Sequence, residues 1–126
     1  MANHDGFSIA HRRYIPHSEA HYGGNLVDGA WALAAFGDVA TEICIHTDGD
    51  EGLFASYSDV QFKAPIQAGD MVETVGTISR TGRRSRTIDF ELRIVCRSDS
   101  AGSTSAATVL DPPIVATTAT GVVVVP

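Results

Sequence analysis

The chain has 126 residues, of which 44% are hydrophobic and 19% are charged. This size and apolar fraction suit one domain over residues 1–126 with a single core, and they exclude intrinsic disorder and fibrous arrays. The net charge of −6 argues against a nucleic-acid partner. The longest apolar runs are too short to span a bilayer, and the polar, His-rich start lacks the pattern of a secretory signal. We therefore expect a cytoplasmic protein without a membrane partner.

One strand and one helix are predicted first along the chain. Residues 7–15 are predicted to form a strand, which Pro16 ends. Residues 25–44 carry the only sustained helical pattern, with apolar residues at three- and four-residue spacings and many alanines between them. Gly29 and Gly37 inside this helix predict the close approach of another backbone.

Antiparallel strands are predicted for the rest of the chain. A small, polar stretch over residues 98–107 is predicted to be a long flexible loop. The pattern as a whole predicts an α+β domain in which a curved sheet wraps around one apolar helix. A single sheet covers only one side of a helix so rich in Ala and Gly, and we therefore expect a second copy of the chain on the other side. The predicted strands are 53–62, 71–78, 87–95 and 114–125.

The first candidate site surrounds the predicted start of the helix. Gly23, Gly24 and Asn25 would expose backbone N–H groups that suit a carbonyl oxygen gaining negative charge. Asp28, about one turn into the predicted helix, would lie within reach of such a group and could act as a general acid or base. His21 flanks the turn and could orient a substrate or move a proton. An ordinary glycine-rich helix start, with Asp28 complementing the helix dipole, is the structural alternative.

Two charged clusters are further candidates. Arg83, Arg84 and Arg86 belong to a short arginine-rich stretch, and such a cluster on an acidic protein suits a small phosphorylated ligand. A solvated strand-and-turn face is the alternative. Asp50 and Glu51 belong to an acidic loop that is solvated by default but would also attract an ammonium group.

Several stretches that together cover nearly the whole chain resemble a known family. The most specific are HYGGNLVDG (21–29) and DGDEGLF (48–54), accompanied by VQFKAPIQAGD (60–70) and TGRRSRTIDFE (81–91). They resemble the 3-aminoacyl-CoA ammonia lyases, which belong to the hotdog-fold enzymes acting on acyl-CoA thioesters. The resemblance implies a hotdog fold, a homodimer or a trimer of dimers, and reversible elimination of ammonia from 3-aminobutyryl-CoA or a similar β-aminoacyl-CoA. Coenzyme A enters as part of the substrate, and neither a further cofactor nor a metal is expected.

The resemblance also implies a role for the residues near the predicted helix start. Asp28 would take the α-proton while the N–H groups of the Gly-Gly turn polarise the thioester carbonyl, with His21 and Tyr22 beside the substrate. In the related thioesterases a catalytic aspartate lies two turns into the helix. That position is about Trp31 here, which disfavours hydrolysis. Glu91 is a lower-ranked candidate, because strand alternation turns it away from the core.

The two charged clusters take the remaining roles. Asp50 and Glu51 would hold the β-ammonium group, reaching in from a partner subunit. Arg83, Arg84 and Arg86 would contact the phosphates of coenzyme A. The alternatives are a hotdog thioesterase, an enzyme that adds an amine to an unsaturated acyl chain on coenzyme A or a carrier protein, and a non-catalytic acyl-CoA-binding protein.

Overall fold

The computed structural model describes residues 2–99 and 101–126, in which one long helix packs against a five-stranded sheet. No α-helix in these ranges is long and apolar enough to cross a membrane. The helix and strands are β1 (Ser8–Tyr14), β2 (Leu26–Val27), α1 (Gly29–Asp48), β3 (Leu53–Phe62), β4 (Ile66–Gln67), β5 (Met71–Thr81), β6 (Ser85–Ser98) and β7 (Ala107–Val124).

The main sheet is antiparallel throughout and has the strand order β1-β5-β6-β7-β3. Consecutive strands β5, β6 and β7 are therefore neighbours, and β1 and β3 lie at the two edges. The short strands β2 and β4 pair with each other outside this sheet. One helix against a single antiparallel sheet confirms the predicted α+β architecture.

The core lies between α1 and the sheet. The inward residues of β6 are those that its alternation predicts, and the ring of Phe90 stacks on Phe36 of α1 with 4.9 Å between ring centroids. Gly76 of β5 allows the close approach, because a Cβ there would lie only 2.8 Å from Cγ1 of Val39 on the helix. The four inward residues of β6 are Ile88, Phe90, Leu92 and Ile94.

The helix differs from its prediction at both ends, since it runs over 29–48 rather than 25–44. Gly24 and Asn25 have positive φ angles of 74° and 66°, and residues 26–27 extend to pair with β4, so α1 cannot begin before Asp28. At the other end, the helix continues through residues 45–48, which include the first two residues of the loop predicted over 47–52, while residues 49–52 form a loop as predicted. Gly49 ends the helix in the left-handed conformation, and its N–H donates to the carbonyl oxygen of Ile45.

Several smaller predictions are also corrected. The pairing of β2 with β4 was not predicted. β5 and β6 extend beyond their predicted ends, and β7 begins at residue 107 rather than at 114. The connection between β6 and β7 covers 99–106, close to the loop predicted over 98–107, and Ser100 lies outside the described residues. At Gly29 the close neighbour is the ring of Phe62 rather than a backbone. At Gly37 an added Cβ would meet nothing within 4 Å in the described chain.

Candidate active site

A cavity of about 410 Å³ lies at the N-terminal end of α1. We call it the Asp28 cavity. It combines a mainly apolar wall with a few polar groups, which is the usual composition of a small-molecule site. Its apolar residues are Val27, Phe62, Ala64, Pro65 and Ile66, and its other residues are Tyr22, Asp28, Gly29, Lys63 and Thr117.

Asp28 is the residue that immediately precedes α1, not a residue one turn into it. Its backbone is extended, with ψ at 157°, and its carboxylate makes no hydrogen bond within the described chain. The carboxylate is therefore free to accept a proton from a ligand in the cavity. The first N–H groups of a helix lack intrahelical partners. The helix N–H groups that directly follow Asp28 in the chain are those of Gly29 and Ala30, whereas residues 23–25, where the donors were predicted, form a separate turn and do not line the cavity.

The Gly-Gly turn forms a separate 3₁₀ turn before β2. Asn25 fixes this turn, because its side-chain Nδ2 donates to the carbonyl oxygen of Ala68 at 2.8 Å. The ring of His21 packs edge-on against Tyr22 with 4.7 Å between centroids. Of the substrate-binding residues predicted in this turn, Tyr22 lines the cavity. His21 does not line the cavity but packs against the ring of Tyr22.

A buried ion pair fixes the wall that Pro65 and Ile66 contribute. Asp70 is fully buried, and both of its carboxylate oxygens accept hydrogen bonds from Arg97, at 3.0 and 2.9 Å. Arg97 also donates to the carbonyl oxygen of Pro65 at 2.9 Å, and Asp70 accepts from the backbone N–H of Gln67 at 2.8 Å. Since these bonds satisfy a buried charge in one geometry, they give the cavity a rigid wall.

Only Tyr22 and Asp28 of the cavity residues were predicted as part of the site. Among those that were missed are Phe62, Lys63, which is the chain's only lysine, and Thr117. They come from the end of β3, from the segment after it and from β7, far along the chain from Asp28. The strand pattern predicts that β3 and β7 exist, but no spacing in the sequence links their residues to the helix start.

A second cavity, of about 390 Å³, lies at the other end of α1. We call it the Glu51 cavity. Asp50, Glu51 and Arg84 supply its charged groups, and the end of β7 supplies an apolar wall. Asp50 is partly engaged already, because its Oδ1 accepts the backbone N–H of Gly52 at 2.8 Å, whereas Glu51 is exposed at the rim.

Arg86 does not join this surface, and its predicted contact with phosphates is corrected. It is only 4% exposed, and its Nε and Nη2 donate to the carboxylate of Asp48 at 3.0 and 2.6 Å. Its Nη1 donates to the carbonyl oxygens of Gly82 and Ser85. The sequence contained the signal, since Arg86 has the same strand parity as the buried Ile88. Arg83 and Arg84 are exposed in the turn beside it.

The Asp48–Arg86 pair ties the end of α1 to the turn between β5 and β6. Burial alone would raise the pKa of Asp48, but the hydrogen bonds from Arg86 and Thr47 outweigh it and hold the pKa below its ordinary value of 3.8. The carboxylate is therefore ionised at neutral pH. The pair fixes the position of the Glu51 cavity relative to the sheet.

One chain does not bring the predicted catalytic carboxylates together. Asp28 lies before the first residue of α1 and Asp50 lies two residues after the last, and a 20-residue helix is about 30 Å long. Glu91 pairs with Arg93 on the outer face of β6, outside both cavities. Any joint action of Asp28 with Asp50 or Glu51 therefore needs a second subunit.

Comparison with known proteins places this geometry in a family. The model of the thioesterase superfamily matches residues 22–95. A 3-aminobutyryl-CoA ammonia lyase from Acetoanaerobium sticklandii is 54% identical over 110 residues, covering 86% of each chain. The solved structure of β-alanyl-CoA:ammonia lyase from Clostridium propionicum is 37% identical and superposes with a TM-score of 0.90 over 96% of this chain and 86% of that one.

A more distant structure extends the likeness of the fold. A hexameric hotdog-fold thioesterase of Campylobacter jejuni superposes with a TM-score of 0.75 at 18% identity, over 91% of this chain and 80% of that one. The fold predicted from the resemblance is thereby confirmed. The chain belongs to the hotdog-fold thioesterase superfamily and, within it, to the family of the 3-aminobutyryl-CoA ammonia lyase of A. sticklandii.

Proposed function

We propose that the protein is a 3-aminoacyl-CoA ammonia lyase, a carbon–nitrogen lyase that reversibly eliminates ammonia from 3-aminobutyryl-CoA or a similar β-aminoacyl-CoA. The observation that carries this proposal is the Asp28 carboxylate, which lines a cavity at a helix start with no bond to the described chain. The relatives named as ammonia lyases support the substrate class, because they match over most of the chain.

Carbonyl polarisation and proton abstraction have groups available in the Asp28 cavity. The N–H of Gly29 at the positive end of the helix dipole polarises the thioester carbonyl, which makes the α-proton acidic. Asp28 accepts that proton, and the electron pair of the C–H bond forms the carbon–carbon double bond. The C–N bond breaks with its electrons on nitrogen, so the β-ammonium group leaves as ammonia. The products are the enoyl-CoA, ammonia and protonated Asp28.

The β3 edge supports a homodimer that completes this site. β3 pairs with β7 on one side only in the described sheet, and it exposes the large apolar side chains of Leu53 and Phe62 at its two ends. Two such edges related by a twofold axis pair in antiparallel fashion, so the Leu53 end of one strand lies beside the Phe62 end of the other. The partner subunit's Glu51 cavity then faces the Asp28 cavity. A trimer of dimers is the larger assembly that we propose.

The two carboxylates of the acidic loop then have different tasks. Asp50 shapes the loop, since it accepts the N–H of Gly52. Glu51, exposed at the rim, holds the β-ammonium group from the partner subunit. Arg83 and Arg84 contact the phosphates of coenzyme A. In this proposal no cofactor is required beyond the coenzyme A of the substrate, and the enzyme works in the cytoplasm.

One assay separates the candidate functions. The protein is incubated with crotonyl-CoA and ammonium, and the products are identified by mass spectrometry. A lyase running in reverse forms 3-aminobutyryl-CoA. A thioesterase, the second candidate because of the superfamily, releases free coenzyme A. A non-catalytic binding protein leaves both reactants unchanged, and either of the last two results would overturn the proposal.

A further inference from the structure

Gly29 has no backbone reason to be glycine. It is the first residue of α1, its φ lies outside the left-handed region, and alanine favours a helix more than glycine does. A Cβ at this position would lie 2.5 Å from Cε1 and 2.7 Å from Cζ of Phe62, which is closer than non-bonded carbon atoms approach. The glycine therefore makes room for the Phe62 ring.

Burial in the core does not explain why the ring lies there. Phe62 is 60% exposed at the end of β3, yet it lines the Asp28 cavity. Its ring rests on the residue that follows Asp28 in the chain, and Phe62 and Asp28 line the same cavity. A large apolar side chain placed in this way forms a wall of the cavity rather than part of the core.

We infer that the Phe62 ring, seated on Gly29, determines specificity by limiting the substituent on the β-carbon of the substrate. This inference rests on the proposed function. For proton transfer the substrate's α-carbon must lie at the Asp28 carboxylate, and its β-carbon is then one bond away. The ring thus bounds the space that a substituent on the β-carbon needs, and it selects short β-aminoacyl chains over longer ones.

The direct test compares substrates that differ only in chain length. The ratio of kcat/KM for 3-aminobutyryl-CoA to that for 3-aminohexanoyl-CoA is measured in the wild type, in Phe62→Ala and in Phe62→Leu. Fitting or rejecting a methylene group is worth roughly 10-fold or more. We therefore expect Phe62→Ala to lower the ratio by about 10-fold and Phe62→Leu to lower it less. Tyr14→Ala is the matched control, because Tyr14 is 50% exposed on β1, at the opposite edge of the sheet.

Light scattering of each variant separates specificity from assembly. Lost dimerisation would reduce turnover of both substrates alike and leave their ratio unchanged. If Phe62→Ala and Phe62→Leu both leave the ratio within about twofold of the wild-type value, well below the effect of one methylene, the inference is overturned.

A double-mutant cycle tests whether the Phe62 ring packs on Gly29. In Gly29→Ala the added methyl group must displace the ring, so we expect the ratio to change by about threefold or more, which corresponds to an ordinary coupling energy between contacting residues. In the Phe62→Ala background the same substitution has no ring to displace, and we expect no change. An equal effect of Gly29→Ala in both backgrounds would show that the ring is not what the glycine accommodates.

Binding measurements keep this inference separate from the proposed function. If the wild type eliminates no ammonia from either substrate, the proposed function fails. The wall is then tested by calorimetry, as the ratio of the Kd values for hex-2-enoyl-CoA and crotonyl-CoA. Phe62→Ala should lower that ratio by about 10-fold, for the same steric reason. An unchanged ratio would overturn the inference independently of catalysis.

Discussion

Loss of the Asp48–Arg86 ion pair should cost a large part of the stability of the fold. Arg86→Ala leaves the Asp48 carboxylate, only 17% exposed, without its main partner. It also removes the donor to the carbonyl oxygens of Gly82 and Ser85. Breaking a buried pair by removing one partner costs about 3–5 kcal/mol. Because Asp48 can regain some hydration, we expect the lower end, a decrease of about 3 kcal/mol in the free energy of unfolding.

Urea unfolding at pH 7 and one fixed protein concentration measures this decrease. Arg12→Ala is the matched control, because Arg12 is 59% exposed and pairs with Glu73 at 3.3 Å. Such surface pairs are worth about 0.2–1 kcal/mol. A loss below about 1 kcal/mol for Arg86→Ala, no larger than that of a surface pair, would refute the reasoning.

The effect of Arg86→Ala on the free energy of unfolding should also depend on pH. The pKa of Asp48 is lower in the folded protein than its ordinary value of 3.8. The stability that the ion pair contributes is therefore fully present above pH 3.8 and is lost as the pH falls through the lower, folded pKa. The difference in unfolding free energy between the wild type and Arg86→Ala should shrink in that acidic range. A difference that stays constant, or grows, would contradict the role of the charged pair.

Three further predictions concern the ligand, the ammonium group and a buried thiol. Replacing Arg83 and Arg84 together by Ala should weaken binding of crotonyl-CoA at low salt, and this loss of affinity should shrink as the salt concentration rises. An unchanged Kd would show that the two arginines are solvated and do not contact the ligand. Glu51→Gln should raise the KM for 3-aminobutyryl-CoA and leave the Kd of crotonyl-CoA unchanged, because crotonyl-CoA lacks the ammonium group. Equal weakening of the binding of both compounds would contradict the proposal that Glu51 holds the ammonium group. Burial raises the pKa of Cys44 to about 11, so a thiol reagent at pH 8 should label it only after unfolding in urea, and rapid native labelling would contradict its burial.

The sequence predicted best what depends on local periodicity. The bounds of β3 were predicted correctly at residues 53–62, and the inward face of β6 follows from its alternation. The start of the helix was predicted wrongly because Leu26 and Val27 fit the helical spacing, while their pairing with β4 is a tertiary contact. The positive φ of Asn25 adds to this error, since a non-glycine residue gives no clear signal of such a turn.

The candidate site was predicted only in part, and for a related reason. Asp28 and Tyr22 lie in one stretch of sequence with the helix start, so their neighbourhood could be inferred. The seating of Phe62 on Gly29 joins elements that the fold alone brings together. The distance between Asp28 and Glu51 within one chain depends on the length of α1, and in the proposed site the two residues meet only across subunits. The Ala- and Gly-rich helix predicted a second copy of the chain, but no spacing in the sequence predicted which residues that copy would bring to the site.

Asp28→Asn tests the central claim most directly. The substitution keeps the shape of the side chain and removes its ability to accept the α-proton. The rate of enoyl-CoA formation from 3-aminobutyryl-CoA is compared with that of Asp89→Asn, a control on the outer face of β6 where the side chain only accepts a hydrogen bond from Thr120. We predict that Asp28→Asn lowers kcat by about 100-fold or more at an unchanged oligomeric state, and that Asp89→Asn retains wild-type turnover. Near wild-type turnover of Asp28→Asn would contradict the account and place the base elsewhere.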